Sequence, residues 1–195
     1  MEKLPTKAVI FDLFGVLCET FNQKWLRENV KDQPAVIDEL KEIMVGLDIG
    51  NKMQSEYFAV APKAVGKTPA QIEQEMIAGF RAYPNILELA SGLRKKYKNA
   101  LCSNSSGSFV RPLFEKIGHP LDNYFDHVII SSEIGLVKPT PEMFNYCAKK
   151  VGADAGECIF VDDTEENITA ASAFGMQTYH CKSPAELEKW LTENF

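Results

Sequence analysis

Ala8-Val9-Ile10-Phe11-Asp12 and Cys158-Ile159-Phe160-Val161-Asp162-Asp163 decide how this chain reads. Each is a short apolar run bounded by turn signals, the pattern of a parallel strand buried on both faces. Each also ends in carboxylates. In an open α/β sheet, ligands bind just beyond the carboxyl ends of the strands. If these two strands are neighbours, Asp12, Asp162 and Asp163 crowd one crevice. Like charges that close repel unless a cation or a proton lies between them. The pattern predicts a metal site, and the metal points to phosphate chemistry.

Outward from these runs, the chain beyond Pro84 alternates strand and helix. Residues 85–97 read as a helix with Ile86, Leu87, Leu89, Ala90 and Leu93 on one stripe. A short strand at 100–102 leads into the polar turn Ser103-Asn104-Ser105-Ser106-Gly107. A helix is expected over 109–117, with Pro112 tolerable only in its first turn, then a strand over 125–130. Thr140-Pro141-Glu142 reads as an N-cap, a proline at the first helical position and a first-turn acid. Ser183-Pro184-Ala185-Glu186 repeats the device. This alternation predicts an α/β domain built on a doubly wound, Rossmann-like parallel sheet.

Residues 17–83 differ. They hold no convincing strand, and helical stretches are expected at 21–30, 34–45, 51–60 and 68–80, the last opened by the capping box Thr68-Pro69-Ala70-Gln71. An all-helical insertion after the first strand reads as a cap. The expected division is therefore 1–16 with 84–195 as the α/β core and 17–83 as the cap, which would lie over the site and exclude water.

Bulk properties narrow the function. The 195 residues suffice for one core with a small lid, and 45% hydrophobic and 25% charged residues are ordinary for a globular protein. A net charge of −6 with no long basic patch argues against nucleic acid. Arg94-Lys95-Lys96-Tyr97-Lys98 reads as charge at a helix end. No apolar stretch reaches the roughly 18 residues of a membrane span, and Met1-Glu2-Lys3-Leu4-Pro5 lacks a signal-peptide core. The five cysteines, without a CxxC pair, read as reduced core thiols. A cytoplasmic protein, monomer or homodimer, is expected.

Four motifs fall on strand ends or the loops beyond them: Phe11-Asp12-Leu13-Phe14-Gly15-Val16-Leu17, Leu101-Cys102-Ser103-Asn104, Gly135-Leu136-Val137-Lys138-Pro139, and Val161-Asp162-Asp163-Thr164-Glu165-Glu166-Asn167-Ile168. In this order and at these spacings they resemble the haloacid dehalogenase-like hydrolase superfamily over nearly the whole chain. The helical insertion is similar to that family's small cap. The resemblance implies a phosphatase acting on a small phosphorylated metabolite, such as a sugar phosphate or a nucleotide. It implies Asp12 as the nucleophile and Mg²⁺ held by Asp12, Asp163 and the Phe14 carbonyl.

The chemistry of the residues agrees with these roles. A carboxylate nucleophile splits one hard displacement into two easier ones through an aspartyl-phosphate. Its attack on a phosphate dianion needs the neutralising charge of Mg²⁺. Lys138 offers a point charge to orient the nucleophile and steady the phosphoryl group. Asp162 is expected either to ligate metal or to accept from Lys138. Ser103, Asn104 and the amides of the turn after them offer donors to phosphate oxygens. Glu165 and Glu166 read as dipole complements, and His119, His127 and His180 show no ligand spacing. Trp25, Tyr57 and Phe58 are cap aromatics that could meet the non-reacting part of the substrate.

The family's phosphatases carry a second aspartate, a general acid/base, where this chain has Phe14. Phenylalanine moves no proton, so leaving groups of low pKa suffer least. Two other readings follow from that replacement. A dehalogenase needs no acid because halide leaves unprotonated, but it would not use the Asp162-Asp163 version of the fourth motif and would want a cap arginine, for which only Arg27 and Arg81 are available. A catalytically degenerate domain would bind a phosphorylated ligand or a partner.

Overall fold

The computed structural model describes residues 5–195, so Met1 to Leu4 and the expectation placed on them lie outside the described residues. Five parallel strands form one sheet: β1 (Ala8–Phe11), β2 (Lys98–Ser103), β3 (His127–Ile130), β4 (Cys158–Asp162) and β5 (Gln177–His180), in the order β3-β2-β1-β4-β5. The chain starts in the middle, builds outward through β2 and β3, then returns to the other side of β1. The winding therefore reverses between β1 and β4, and such a switch point opens a crevice at the strands' carboxyl ends. Phe11 is in register with Leu101 on one side and Val161 on the other. Asp12 thus emerges level with the end of β4, its amide donating to the Val161 carbonyl at 2.8 Å.

Helices cover both faces. Four helices lie within the insertion: α1 (Phe21–Asn29), α2 (Pro34–Ile49), α3 (Gln54–Val65) and α4 (Pro69–Gly79). The rest are α5 (Pro84–Gly92), α6 (Gly107–Lys116), α7 (Ser131–Ile134), α8 (Pro141–Val151), α9 (Glu165–Phe174) and α10 (Pro184–Asn194). Alternate strand residues split between two cores. Val9, Phe11, Leu101 and Val161 pack with α5, α6 and α10; Ala8, Ile10, Ala100 and Phe160 pack with α8 and α9. Full burial of a side chain the size of Phe11 or Ile10 stabilises by about 1.5–3 kcal/mol, so β1, buried at every position, anchors both layers. Helices α1–α4 share a third cluster around Trp25, Leu40, Ile43, Tyr57 and Ile72.

Several local expectations shift. The Thr68 capping box forms in both directions, Thr68 Oγ1 accepting from the Gln71 amide and Gln71 Oε1 from the Thr68 amide. Ser183 accepts from the Glu186 amide. Thr140 does not cap; its hydroxyl donates back to the Val137 carbonyl at 2.6 Å. Helix α6 starts at Gly107, two residues early, which puts Pro112 past the first turn. The carbonyl that this proline deprives of a partner belongs to exposed Ser108, where water can serve it. Strand β5 was not foreseen in its half-buried Gln177-Thr178-Tyr179-His180; it is held by pairing with β4 and by Tyr179 stacked on Trp190, ring centroids 4.1 Å apart.

The insertion leaves and rejoins the sheet through one narrow ribbon. The Glu19 amide donates to the Arg81 carbonyl and the Tyr83 amide to the Leu17 carbonyl, both at 2.9 Å, with Cys18 bridged antiparallel to Ala82. Among the described residues no helix is long and apolar enough to cross a membrane.

Candidate active site

Three strand ends and one loop meet at the crevice. Lys138, on the loop between α7 and α8, reaches the carboxyl ends of the inner strands β1 and β4 and is almost wholly buried. Its Nζ donates to Asp12 Oδ1 at 2.5 Å and to Asp162 Oδ2 at 2.8 Å. Burial opposes the ammonium charge, but Asp12 and Asp162 outweigh it and hold the lysine above its ordinary pKa. Asp12 is pushed the other way from a normal carboxylate: burial raises its pKa and the Asp162 charge adds to that, against the lowering pull of Lys138.

Asp162 is fully buried and its oxygens are taken. Oδ1 accepts from the Thr164 amide at 2.9 Å and from Asn167 Nδ2 at 3.0 Å; Oδ2 accepts from Lys138 and from Asn167 at 3.1 Å. Of its two expected uses, acceptance from Lys138 is the one this geometry displays. Asn167 fixes the carboxylate that in turn fixes the lysine. Asp163 turns outward and is exposed, accepting from Thr164 Oγ1 at 3.2 Å. Partial burial and the neighbouring Asp162 charge raise its pKa.

Carboxylate oxygens of Asp12, Asp162 and Asp163 lie within 4.8 Å of one another. A cluster of hard anionic oxygens at strand ends suits a small divalent cation such as Mg²⁺, which takes one or two carboxylates and keeps waters for the rest. The turn after β1 is shaped around this cluster. Gly15 sits at φ +80°, and a Cβ there would stand 2.2 Å from Asp163 Oδ2, so only glycine lets the turn lie against that carboxylate.

The phosphate-loop candidates are arranged with more self-satisfaction than expected. Ser103 is fully buried, its hydroxyl accepting from Ser105 Oγ at 3.0 Å. Two amides of the following turn already have partners: Ser131 Oγ accepts from the Ser105 amide and Ser132 Oγ from the Gly107 amide, both at 2.9 Å. Asn104 clamps the lysine loop. Its Nδ2 donates to the Lys138 carbonyl and its Oδ1 accepts from the Lys138 amide, each at 2.8 Å. The second and third motifs are thereby locked together.

Phe14 packs against the core cluster of β1, β2 and β4. It lines a cavity of about 250 Å³ between the helical insertion and α6, with Tyr57 and Phe58 of α3 and Asn104 and Ser105 of the β2 turn. Trp25 is not in this wall; it is buried in the insertion's own cluster and its Nε1 donates to Glu75 at 3.3 Å. Asp48, at the end of α2, does line the cavity, and sequence reading missed it. Burial raises its carboxyl to about 7, against the lowering effect of Lys138. Ser131 Oγ donates to the Asp48 backbone carbonyl and so ties the insertion to the end of β3. Serines directly after the apolar Val128-Ile129-Ile130 run were a strand-end signal that could have exposed Ser131; nothing local marks Asp48.

A haloacid dehalogenase-like hydrolase family model matches residues 6–175. D-ribitol-5-phosphate phosphatase of Bacteroides thetaiotaomicron is 27% identical over 199 residues, covering 95% of this chain and 97% of that protein. A phosphoglycolate phosphatase of Haemophilus influenzae is 30% identical over 186 residues, covering 87% and 82%. Among solved structures, a haloacid dehalogenase (HAD) family enzyme of B. thetaiotaomicron, an aspartate-to-alanine mutant in complex with magnesium and inorganic phosphate, superposes with a TM-score of 0.74 at 26% identity over 90% of this chain and 93% of that one. With its parallel sheet, its clustered strand-end carboxylates and this match over most of its length, the chain belongs to the haloacid dehalogenase-like hydrolase family.

Proposed function

We propose that this hydrolase is a Mg²⁺-dependent phosphatase that cleaves a small phosphomonoester through an aspartyl-phosphate on Asp12. The observation that carries the reading is the buried chain Asp12–Lys138–Asp162, with Asp163 beside it. Burying a lysine between two carboxylates is expensive in stability unless the partners are satisfied, and here the Thr164 amide and Asn167 supply the remaining bonds of Asp162. Such an arrangement fits a group held ready for chemistry. The phosphatase names of the relatives and the magnesium and phosphate of the similar solved structure support the same class.

Asp12 attacks phosphorus as the carboxylate. Lys138 holds the attacking group in line and offers positive charge where the phosphoryl oxygens gather it. Asp12, Asp163 and the Phe14 carbonyl would hold Mg²⁺, which neutralises the charge of carboxylate and phosphate. Asp162 keeps Lys138 in place, and Ser103 with Asn104 shapes the loop that receives the phosphoryl group. Helices α1–α4 act as the cap, residues 17–83, over a core of 1–16 and 84–195, and shield the site from water. The five buried free thiols fit a reducing compartment, and we place the enzyme in the cytoplasm.

The cap arginines that a dehalogenase reading would need are committed elsewhere or solvent-facing. Arg81 donates to the Ala78 and Phe80 carbonyls, and Arg27 is exposed. The test is phosphate release from p-nitrophenyl phosphate and a panel of sugar phosphates, with Mg²⁺ or EDTA, in wild type and Asp12→Asn. Release that needs both Mg²⁺ and Asp12 is expected. Undiminished release by Asp12→Asn, or none from any ester, would overturn the reading.

A further inference from the structure

Asp48 is an acid placed where acids are costly. It stands in the last turn of α2, so its charge meets the negative end of the helix dipole. It is half-buried, and its carboxylate forms no hydrogen bond or ion pair with any described residue. Each of these conditions works against an ionised carboxylate, and burial lifts its pKa to about 7. A side chain kept in a destabilising place is most readily explained by what it does there.

The backbone beneath it is clamped to the core. The Ser131 hydroxyl donates to the Asp48 carbonyl at 2.5 Å and accepts from the Ser105 amide at 2.9 Å. One buried hydroxyl therefore joins the end of α2 to the β2 turn, where the Ser105 hydroxyl donates to Ser103. Two residues beyond Asp48, Gly50 lies at φ +84° and so close to α7 that a Cβ there would stand 2.6 Å from the Ser132 carbonyl oxygen. The end of α2 is thus seated on α7, beside the turn proposed to receive the phosphoryl group.

Asp48 shares the 250 Å³ cavity with Phe14 and with Asn104 and Ser105 of that turn. Among the described residues lining it, only Asp48 and Tyr57 titrate. The Tyr57 hydroxyl is closed off by burial, which also raises its pKa. Asp48 is the one carboxyl in the wall, and the charge that acts on it is that of Lys138.

From this placement we infer that Asp48, carried by the helical insertion, is the general acid and base of the reaction. The inference rests on the phosphatase reading. In the first step an Asp12 oxygen bonds to phosphorus and the bond from phosphorus to the ester oxygen breaks. The electron pair stays on that oxygen, which takes the proton of the Asp48 carboxyl and departs as the alcohol. In the second step a water oxygen bonds to phosphorus and the water's proton passes to the Asp48 carboxylate. The bond from phosphorus to Asp12 breaks, the Asp12 carboxylate is restored and phosphate leaves. A carboxyl that ionises near the working pH suits both transfers.

The experiment measures kcat/KM with Mg²⁺ for p-nitrophenyl phosphate and for alkyl esters, cyclohexyl phosphate and a panel of sugar phosphates, in wild type and Asp48→Asn. This ratio reports the steps up to the first irreversible cleavage, so it isolates departure of the leaving group. An alkoxide needs the proton, because alcohols ionise nearer water's value of about 15.7, whereas p-nitrophenolate leaves without one. Asp48→Asn is expected to lose about 10²–10⁴-fold on the alkyl esters and less than about tenfold on p-nitrophenyl phosphate. The comparison between esters is made within one variant, so it does not depend on the fraction folded. A loss of equal size on every ester would overturn the inference and make Asp48 a binding or docking residue. So would undiminished cleavage of the alkyl esters by Asp48→Asn. A wild type that cleaves only the p-nitrophenyl ester would overturn it too, because no proton would then be reaching an alkoxide. A wild type that releases phosphate from no ester would instead overturn the phosphatase reading, and this inference with it.

Discussion

Lys138 is the residue on which the site's energetics turn. Two carboxylates converge on one buried ammonium, and removing it leaves Asp12 and Asp162 facing each other without compensation. Breaking a buried pair by deleting one partner typically costs about 3–5 kcal/mol. Lys138→Met, close in length, is expected to abolish phosphate release and to destabilise by on the order of 3 kcal/mol at pH 8, measured by urea unfolding in EDTA. A stability loss below about 1 kcal/mol would show that the pair carries no net burial penalty. At this scale the sequence was readable where carboxylates and strand ends coincide, as at Asp12, Asp162 and Asp163, while Lys138, on the loop between α7 and α8, was readable only through its motif. It was silent on Asp48, whose place in the cavity wall depends on how the insertion docks. The bond that fixes it joins residues 83 positions apart, from α2 to the end of β3. No local pattern encodes such a contact. Asn167 was legible as a residue but not as a donor, since its role depends on Asp162 turning inward.

Among the elements, the turn after β1 is the most tightly constrained. Gly15 combines a positive φ with a close approach to Asp163, so Gly15→Ala introduces strain and moves that carboxylate. A several-fold rise in the Mg²⁺ concentration for half-maximal phosphate release is expected, with little change in the far-ultraviolet circular dichroism. An unchanged Mg²⁺ requirement would separate Asp163 from the metal. Strands β1 and β4 were legible because they are buried on both faces and read as unbroken apolar runs. Strand β5 was not, because an edge strand with four half-buried residues carries neither that run nor an alternation. Helix α6 begins two residues early where the Ser105 and Gly107 amides donate to the Ser131 and Ser132 hydroxyls, partners that lie outside the segment.

For the whole molecule, the docking of the insertion leaves a titration signature. Asp48 has a folded pKa near 7, raised chiefly by burial, against an ordinary value of 3.8. Below pH 4 the group is protonated in both states and has no effect. Between about pH 4 and 7 the unfolded chain releases its proton first, so stability falls as pH rises, and above 7 the full cost remains. Asp48→Asn removes an ionisable group and should raise Tm relative to wild type at pH 8 but not at pH 4. An equal shift at both pH values would show that the carboxyl is not desolvated by the docked insertion.

The ribbon at residues 17–19 and 81–83 has a consequence for how such a protein can change. Its two strands enter and leave side by side, so the sheet meets the intervening helices as it would meet the tip of a hairpin. Loop closure grows only slowly with length, by about 0.6 kcal/mol for each doubling. A longer, shorter or unrelated segment could be grafted at this junction with small effect on the crevice below. Asp12 and Lys138 would keep their places while the wall of the cavity above them is rewritten, which makes the junction a natural point for changing what that cavity admits.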